Sequence, residues 1–240
     1  MKSLLDMRLL LDDAVLRRRV TDRTFSIVSS NCWGGTLYQQ LRLPYTSPFV
    51  GLFLYPPCFV KMLENLRACI ESPLRLVDES QYPIANEMRR LKLRYPIGII
   101  GPGVELHFVH YPDPVEAAAK WNRRCQRINW QNLRVAYTER ELSRPDLIER
   151  FDALPYEHKV CFASKPRPAQ TSFVWIEECF DRPYVTDLMK YRFLYKRRFD
   201  VADWLNGGTG RATLWYRMME VILCPRKQLS PFKPLLGEVQ

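Results

Sequence analysis

Short apolar runs that alternate with helix-like segments are the feature of this sequence that most restricts its fold. The runs have strand length and are bounded by proline, glycine, serine and asparagine. The predicted strands are 25–29, 49–55, 74–77, 97–100, 106–108, 133–137 and 159–163. The predicted helices are 3–19, 56–69, 114–128 and 145–154, and another begins near 36. This alternation predicts a three-layer α/β fold with a mainly parallel or mixed, Rossmann-like sheet and helices on both faces.

The domain organisation follows from the same pattern. We expect an N-terminal helix within 1–24, an α/β domain over 25–206 and a C-terminal extension over 207–240. A chain of 240 residues suits one large domain or two small lobes that share a cleft. Residues 165–168, which read KPRP, are either a seam between two lobes or a surface loop.

The charge of the chain points to anionic partners. Its net charge is +10, with 36 basic and 26 acidic residues, so it attracts nucleic acid, acidic lipid or phosphorylated small molecules. No zinc-finger spacing and no RNA-binding aromatic signature accompanies this charge, so nucleic acid is not an expected partner. Alternatively, the basic runs at 17–19, 123–124 and 196–198 are simply solvent-exposed surface residues.

The cysteines argue for a reducing compartment. There are seven, an odd number, and none forms a CxxC pair, so neither a disulfide framework nor a metal site is expected. The N-terminus carries an early acid and no long apolar stretch, and no apolar run elsewhere is long enough to cross a bilayer. We therefore expect a cytoplasmic protein, with peripheral contact to an anionic membrane as an addition to that location.

The segment Ser29–Gly35, which reads SSNCWGG, follows the first predicted strand. Ligands of open α/β sheets bind beyond the carboxyl ends of strands. Ser29 and Asn31 offer polar contacts there, and Gly34 and Gly35 would let backbone amides approach an anion. The alternative is that the two glycines only turn the chain. Neither a GxGxxG fingerprint nor a P-loop is present.

Cys32 and Trp33 have two interpretations each. Cys32 becomes a nucleophile if amides or a histidine stabilise its thiolate, and it is otherwise a buried, inert thiol. Trp33 either stacks on a flat or sugar-like ligand or fills the core.

Two of the three histidines lie in the segment His107–Tyr111, which reads HFVHY. His107 and His110 are three residues apart, so a strand-to-loop junction could bring both to one cleft, with Tyr111 beside them as a ligand contact. Either histidine could act as a general base near neutral pH. The alternative is that at least one is a structural hydrogen bonder in the core.

Four basic residues end the predicted helix at 114–128. Lys120, Arg123, Arg124 and Arg127 are spaced by three and four, which predicts one shared face. This face could hold phosphate or carboxylate. Alternatively, the residues only complement the carboxyl end of the helix.

Taken together, these segments resemble a bacterial family of unknown biochemical function, usually labelled exopolysaccharide or capsular polysaccharide biosynthesis protein. The matching stretches are 29–35 (SSNCWGG), 45–52 (YTSPFVGL), 95–98 (YPIG), 107–111 (HFVHY), 116–117 (EA), 120–124 (KWNRR), 127–129 (RIN), 132–133 (NL), 151–155 (FDALP) and 199–206 (FDVADWLN). They extend over 25–206. One departure is 101–105 (GPGVE), where the family pattern has an acidic residue sooner after a glycine, so a polar role for this turn stays open. The strand followed by Asn31-Cys32 is also loosely similar to a capsule-biosynthesis family that is thought to use coenzyme A.

The resemblance implies an α/β fold and a place in surface-glycan assembly, with a glycan or an activated sugar precursor as partner. One hypothesis is a transferase, with a coenzyme A thioester or a nucleotide-sugar as donor. In acyl transfer, Cys32 or a sugar hydroxyl would attack the thioester, and His107 or His110 would be the base. Amides of 33–35 would stabilise the oxyanion, and the arginines of 123–127 would hold the donor phosphates. Glycosyl or sugar-phosphate transfer is the nearest alternative reaction. The second hypothesis is a non-catalytic binding or assembly protein of the same pathway.

Overall fold

The computed structural model describes residues 4–91, 94–167 and 170–223. Predictions for 1–3, for Pro168 and for 224–240 of the C-terminal extension lie outside these residues. The helices are α1 (Leu4–Arg19), α2 (Trp33–Leu41), α3 (Pro56–Leu63), α4 (Leu66–Glu71), α5 (Pro83–Leu91), α6 (Pro114–Cys125), α7 (Pro145–Ala153), α8 (Arg192–Tyr195), α9 (Val201–Leu205) and α10 (Leu214–Leu223). The strands are β1 (Ser26–Ser29), β2 (Arg75–Val77), β3 (Ile97–Ile100), β4 (Val104–His107), β5 (Leu133–Thr138), β6 (Lys159–Ala163) and β7 (Phe173–Trp175).

Four strands form a parallel sheet in the order β1-β5-β6-β7. The register pairs Ser26 with Leu133 and Val135 with Lys159. Strands of a parallel sheet are covered on both faces and therefore read as continuous apolar runs, and β1 and most of β5 and β6 are buried. The predicted α/β fold is confirmed.

A second sheet is antiparallel, in the order β2-β3-β4. Strands β3 and β4 form a hairpin whose turn holds Gly101 and Gly103 at φ values of 48° and 86°, a backbone region that suits glycine. This sheet supplies the antiparallel part of a mixed α/β architecture.

The segment 49–55 connects the two sheets. Its amide at Leu54 donates to the Ser30 carbonyl at 2.9 Å, and Phe53 exchanges two 2.9 Å backbone bonds with His107. The predicted strand here is wrong, because the only pairing is this isolated bridge. Gly51, at a φ of 73°, turns the chain within this segment.

Two apolar clusters fill the layers. One lies where α3, α6 and α7 cover the sheets, around Phe59, Phe108 and Trp121. The other lies where α1, α2 and α9 cover the parallel sheet, around Trp33 and Trp204. Helices therefore lie on both faces.

Two helices begin or end where sequence reasoning placed them only approximately. The carboxylate of Asp113 accepts the Glu116 amide at 2.8 Å, so α6 has the predicted N-terminal cap. The predicted helix over 56–69 is two helices, because Glu64 and Asn65 interrupt it.

Candidate functional site

The connections that follow the parallel strands come together around Cys32. This residue lies between β1 and α2 and is half-buried. The charges of Arg140, just beyond β5, and of Asp187, beyond β7, both act on its thiol. The Thr138 amide donates to the Ser30 hydroxyl at 3.1 Å, and the Val185 amide donates to the Glu139 carbonyl at 3.0 Å. The connections after β1 and β5 and the segment that leads to Asp187 are therefore neighbours at the carboxyl edge of the sheet, where open α/β folds bind ligands.

The thiol of Cys32 is held in its protonated form. Burial, and to a lesser extent the charge of Asp187, raise its pKa to about 12 against the opposing charge of Arg140. The Sγ atom lies 3.7 Å from the Leu52 carbonyl oxygen, to which it donates. A thiol in this setting is a weak hydrogen-bond donor at neutral pH rather than a nucleophilic thiolate. The assignment of Cys32 as a nucleophile stays a prediction without support from this geometry.

Ser29 and Asn31 shape the turn that presents Cys32. The Ser29 hydroxyl donates to the Asn31 carbonyl at 2.7 Å. The Asn31 side-chain oxygen accepts the Trp33 amide at 3.0 Å, which satisfies one donor of the first turn of α2. Asn31 is half-buried and Ser29 is buried, so Asn31 is the one of the two that stands at the surface of the turn.

The paired glycines let α2 approach its neighbours closely. A Cβ atom at Gly34 would lie 2.6 Å from the Ser29 Oγ and 2.8 Å from the Ile27 Cγ2. A Cβ atom at Gly35 would lie 3.2 Å from the Val50 Cγ1. The structure gives both glycines a packing reason, whereas sequence reasoning offered a ligand or a chain turn.

Trp33 fills the core, as one of its two interpretations had it. Only 2% of the residue is exposed. Its indole nitrogen donates to the Tyr195 hydroxyl at 3.1 Å, and its ring contacts Phe162 and Trp204. The indole is therefore committed to packing.

The structure brings the HFVHY segment next to this turn across residues 50–52. The Tyr111 hydroxyl donates to the Val50 carbonyl at 2.6 Å, and the His110 amide donates to the Gly51 carbonyl at 3.3 Å. Tyr111 also lies close enough to Cys32 for the thiol to act on its titration. Segments about 75 positions apart are thus joined into one rim through residues 50–52. That this rim borders a ligand cleft stays a prediction.

His110 is the exposed member of this rim. Partial desolvation lowers its pKa below the usual histidine value. The imidazole is therefore neutral at physiological pH, which is the state that a general base requires.

His107 lies inside the antiparallel sheet instead. It is 0% exposed, and its Nε2 lies 2.8 Å from the Glu105 Oε1. Four aromatic rings surround it, with centroids 5.1 to 6.5 Å away: Phe53, Tyr55, Tyr82 and Tyr95. The two histidines of the motif therefore have opposite environments, one buried and one exposed.

Glu105 is a fully bonded interior carboxylate. It accepts the Ser80 hydroxyl, and the Gln81 amide at 2.8 Å, and the His107 imidazole lies beside it. Burial alone would raise its pKa, but the hydrogen bonds from His107, Ser80 and the Gln81 amide lower it below the usual value. An ionised carboxylate therefore stays in the core because the Ser80 hydroxyl and the Gln81 amide donate to it.

The basic residues of α6 do not all share one face, and Arg127 lies beyond its end at Cys125. Arg124 is buried, donates to the Tyr111 hydroxyl at 2.5 Å and lies over the Tyr45 ring at 4.8 Å. Arg123 and Arg127 are exposed, and Lys120 pairs with Glu116. Adjacent positions differ by about 100° around a helix, which separates Arg123 from Arg124. The assignment of these residues to ligand binding stays a prediction.

Sequence reasoning did not identify Arg140 and Asp187. The Arg140 guanidinium pairs with Glu141 at 2.9 Å and lies 5.7 Å from the Phe53 and Tyr184 ring centroids. The usable signal was its position directly after a buried strand, where parallel sheets present ligand contacts. Asp187 follows an irregular region in which no periodicity marks it.

No described helix combines the length and the apolar composition that a bilayer crossing requires.

Comparison with known proteins places the chain in a family. A model described as a domain of unknown function, DUF1919, matches residues 8–206. An uncharacterized protein of Haemophilus influenzae is 31% identical over 195 residues, which cover 80% of this chain and 88% of that protein. The chain belongs to the DUF1919 family.

Proposed function

We propose that the chain is a transferase of bacterial exopolysaccharide or capsular polysaccharide biosynthesis, with its substrates at the carboxyl edge of the parallel sheet. The observation that supports the site is the set of hydrogen bonds that join the Cys32 turn, the connection after β5 and the HFVHY segment, directly or through residues 50–54. The glycan setting rests on the sequence resemblance alone.

Arg140 supports an anionic donor. Its side chain is about a quarter exposed and shares its charge with Glu141. A guanidinium at this edge can bind the phosphates of coenzyme A or of a nucleotide-sugar by bidentate contacts. Glu141 would then be displaced or would turn to a hydroxyl of the substrate.

The state of the thiol favours direct transfer over a cysteine-bound intermediate. With a pKa of about 12, Cys32 has almost no thiolate at neutral pH, so the acceptor itself supplies the nucleophile. A sugar hydroxyl oxygen attacks the acyl carbon of a thioester while its proton passes to the neutral imidazole of His110. The C–S bond breaks, and the coenzyme A thiolate takes up a proton. In glycosyl transfer the same hydroxyl attacks the anomeric carbon and a nucleoside diphosphate leaves.

Ligand-dependent stabilisation is the first test. We expect coenzyme A compounds or nucleotide-sugars to raise the melting temperature of the wild-type protein, because a ligand that binds only the native state stabilises it. Arg140→Ala should remove this shift. Arg144→Ala is the matched control, since Arg144 lies in the same connection but pairs with Asp146 in solvent. The absence of a shift with both ligand classes would contradict the proposed donors.

Glycan analysis is the second test. Cells that carry His110→Ala should lose the modified surface glycan, whereas cells that carry His158→Ala should keep it. His158 is the third histidine and lies near Arg134 and Gly207, away from the site. Normal glycan with His110→Ala would remove the assigned base.

A specific observation also favours a non-catalytic binding or assembly protein. Trp33 and His107 are buried, and the Cys32 thiol is protonated, so three chemistry-bearing residues have structural surroundings. In that case the ligand shift would persist, while glycan from His110→Ala and Cys32→Ser cells would be normal.

A further inference from the structure

We infer that α1 and α10 form a surface that docks on an anionic membrane. Both helices expose large apolar side chains that a water-facing helix would avoid. The exposed apolar residues of this surface are Met7, Leu10, Leu11, Val15, Leu214, Trp215 and Met218. We call this set, with the arginines beside it, the α1–α10 surface.

The two helices are neighbours, and each exposes its own apolar residues to solvent. The Arg19 guanidinium lies 5.0 Å from the centroid of the Tyr216 ring. Val15 and Tyr216 also line one small cavity between α1 and α10. Tyr216 faces α1. Leu214 and Met218 are each two residues away from Tyr216, so they lie on the opposite side of α10. They are 76% and 59% exposed.

The charged residues of α1 are distributed between an inner and an outer face of the helix. Asp12 and Asp13 turn inward, where Asp12 pairs with Lys196 at 2.6 Å and both carboxylates contact Arg192. Arg18 points outward and is exposed, as is Asp6 near the start of the helix. Two acidic residues of α1 are therefore paired with basic residues on the inner side of the helix.

Basic residues border the apolar set on α10 as well. Arg217 is exposed on the helix, and Arg211 is exposed just before it. Together with Arg18 they give this region an excess of positive charge. Exposed apolar side chains combined with arginines are typical of helices that lie in the plane of a membrane interface. The charge selects anionic lipid over neutral lipid, since each basic residue near the surface adds attraction.

Trp215 strengthens the assignment to a membrane interface. It is 71% exposed, and an indole has an apolar body and a polar N–H that suit the headgroup level. Helix α1 has 16 residues, which is enough to lie along an interface.

Vesicle co-sedimentation tests the inference. The full chain should sediment with vesicles that contain phosphatidylglycerol and stay in solution with pure phosphatidylcholine. Arg18→Gln and Arg217→Gln should each weaken binding about fivefold. Leu11→Ser combined with Trp215→Ser should weaken it at least tenfold, an order-of-magnitude expectation from burial of apolar side chains.

Matched controls separate the surface from general effects of charge and hydrophobicity. Arg90→Gln removes an exposed arginine of α5, and Val115→Ser removes a 79% exposed apolar residue of α6. Both should bind vesicles as the wild type does, and circular dichroism should show every variant folded.

Three outcomes would overturn the inference. The first is no sedimentation with phosphatidylglycerol vesicles. The second is equal loss of binding in the control variants, which would indicate a diffuse charge effect. The third is a dimer in analytical ultracentrifugation that Leu11→Ser with Trp215→Ser dissociates, without vesicle binding by the wild type. That result would mean that a second copy covers the α1–α10 surface.

Discussion

The carboxyl edge of the parallel sheet and the interior of the antiparallel sheet both hold polar or titratable side chains, but these are half-buried at the edge and fully buried in the interior. At the edge, Cys32 and Arg140 lie on loops and are half-buried. In the interior, Glu105 and His107 are 0% exposed. Each region contains an acid-base or nucleophilic candidate, and only the first has one that a ligand can reach.

The difference shows that burial and partners, rather than residue type, decide which polar group is available. The carboxylate of Glu105 already accepts hydrogen bonds from Ser80 and from the Gln81 amide, and His107 lies 2.8 Å from it. The Glu105 carboxylate is therefore already occupied by partners inside the protein. Arg140 has one carboxylate partner in Glu141 and retains solvent contact. The interior cluster therefore stabilises the sheet, and the edge is the place for a ligand.

The largest expected effect is the loss of the interior carboxylate. Glu105→Ala should lower the free energy of unfolding by about 3–5 kcal/mol, because it leaves buried donors without an acceptor. Urea denaturation measures the loss, with Glu149→Ala on the exposed face of α7 as control. A loss as small as that of the control would break the comparison.

The same carboxylate should make stability depend on acid. Because its pKa is lowered in the folded state, its contribution is present above the unfolded value of about 4.3 and is lost as pH falls through the folded value. Glu105→Gln should flatten this part of the stability profile. A mutant profile parallel to that of the wild type would show that other carboxylates are responsible.

Substitution of Arg140 should have the opposite pattern of effects, with a large loss of ligand binding and a small loss of stability. Arg140→Ala should cost about 1.5–3 kcal/mol of ligand binding, the range for hydrogen bonds to charged groups. The free energy of unfolding without ligand should change by less than about 1 kcal/mol, because the ion pair with Glu141 is partly exposed. Isothermal titration calorimetry and urea denaturation separate the two quantities. A large loss of stability with unchanged ligand affinity would assign Arg140 to the fold.

A methyl group at Gly34 should destabilise the protein by about 1–3 kcal/mol, the usual range for overpacking. Its Cβ would meet the Ser29 Oγ at 2.6 Å. Combining Gly34→Ala with Ser29→Ala should recover part of the loss, since the closest atom is removed. Thermal unfolding of the single and double variants tests this coupling. Additive losses would mean that the helix shifts instead.

The smallest effect concerns the reactivity of Cys32. With a pKa of about 12, its alkylation by iodoacetamide should be much slower than that of glutathione at neutral pH, because the thiolate reacts. Mass spectrometry of the Cys32 peptide gives the rate. Alkylation faster than that of glutathione would reveal a stabilised thiolate and restore the covalent mechanism.

The regular elements were predictable where one pattern repeats locally. The strand over 159–163 coincides with β6, and the Asp113 cap opens α6 as its spacing predicts. The run 49–55 is apolar enough for a strand, but it contains Gly51 and lies between two sheets with one bridge to β4. An apolar composition indicates that a segment is buried. It does not indicate which backbone groups form hydrogen bonds with that segment.

The membership of the candidate site was only partly predictable, and its role stays a prediction. Ser29–Gly35 and 107–111 follow strands of different sheets, and they are neighbours because both bond to residues 50–54. The burial of His107 and the separation of Arg123 from Arg124 depend on which side of an element meets the core. Arg140 was missed because a single charged residue after a strand has no local signature.

The sequence by itself determined the alternation of strands and helices, the cap of α6 and the excess of positive charge, because each depends on neighbouring residues or on totals. Only the tertiary structure decided that Gly34 serves helix packing, that Glu105 and His107 are buried together, and that the charges of Arg140 and Asp187 act on the Cys32 thiol. These facts join residues that are distant in the chain. Desolvation and partner geometry, which set their chemistry, exist only once those residues have been brought together.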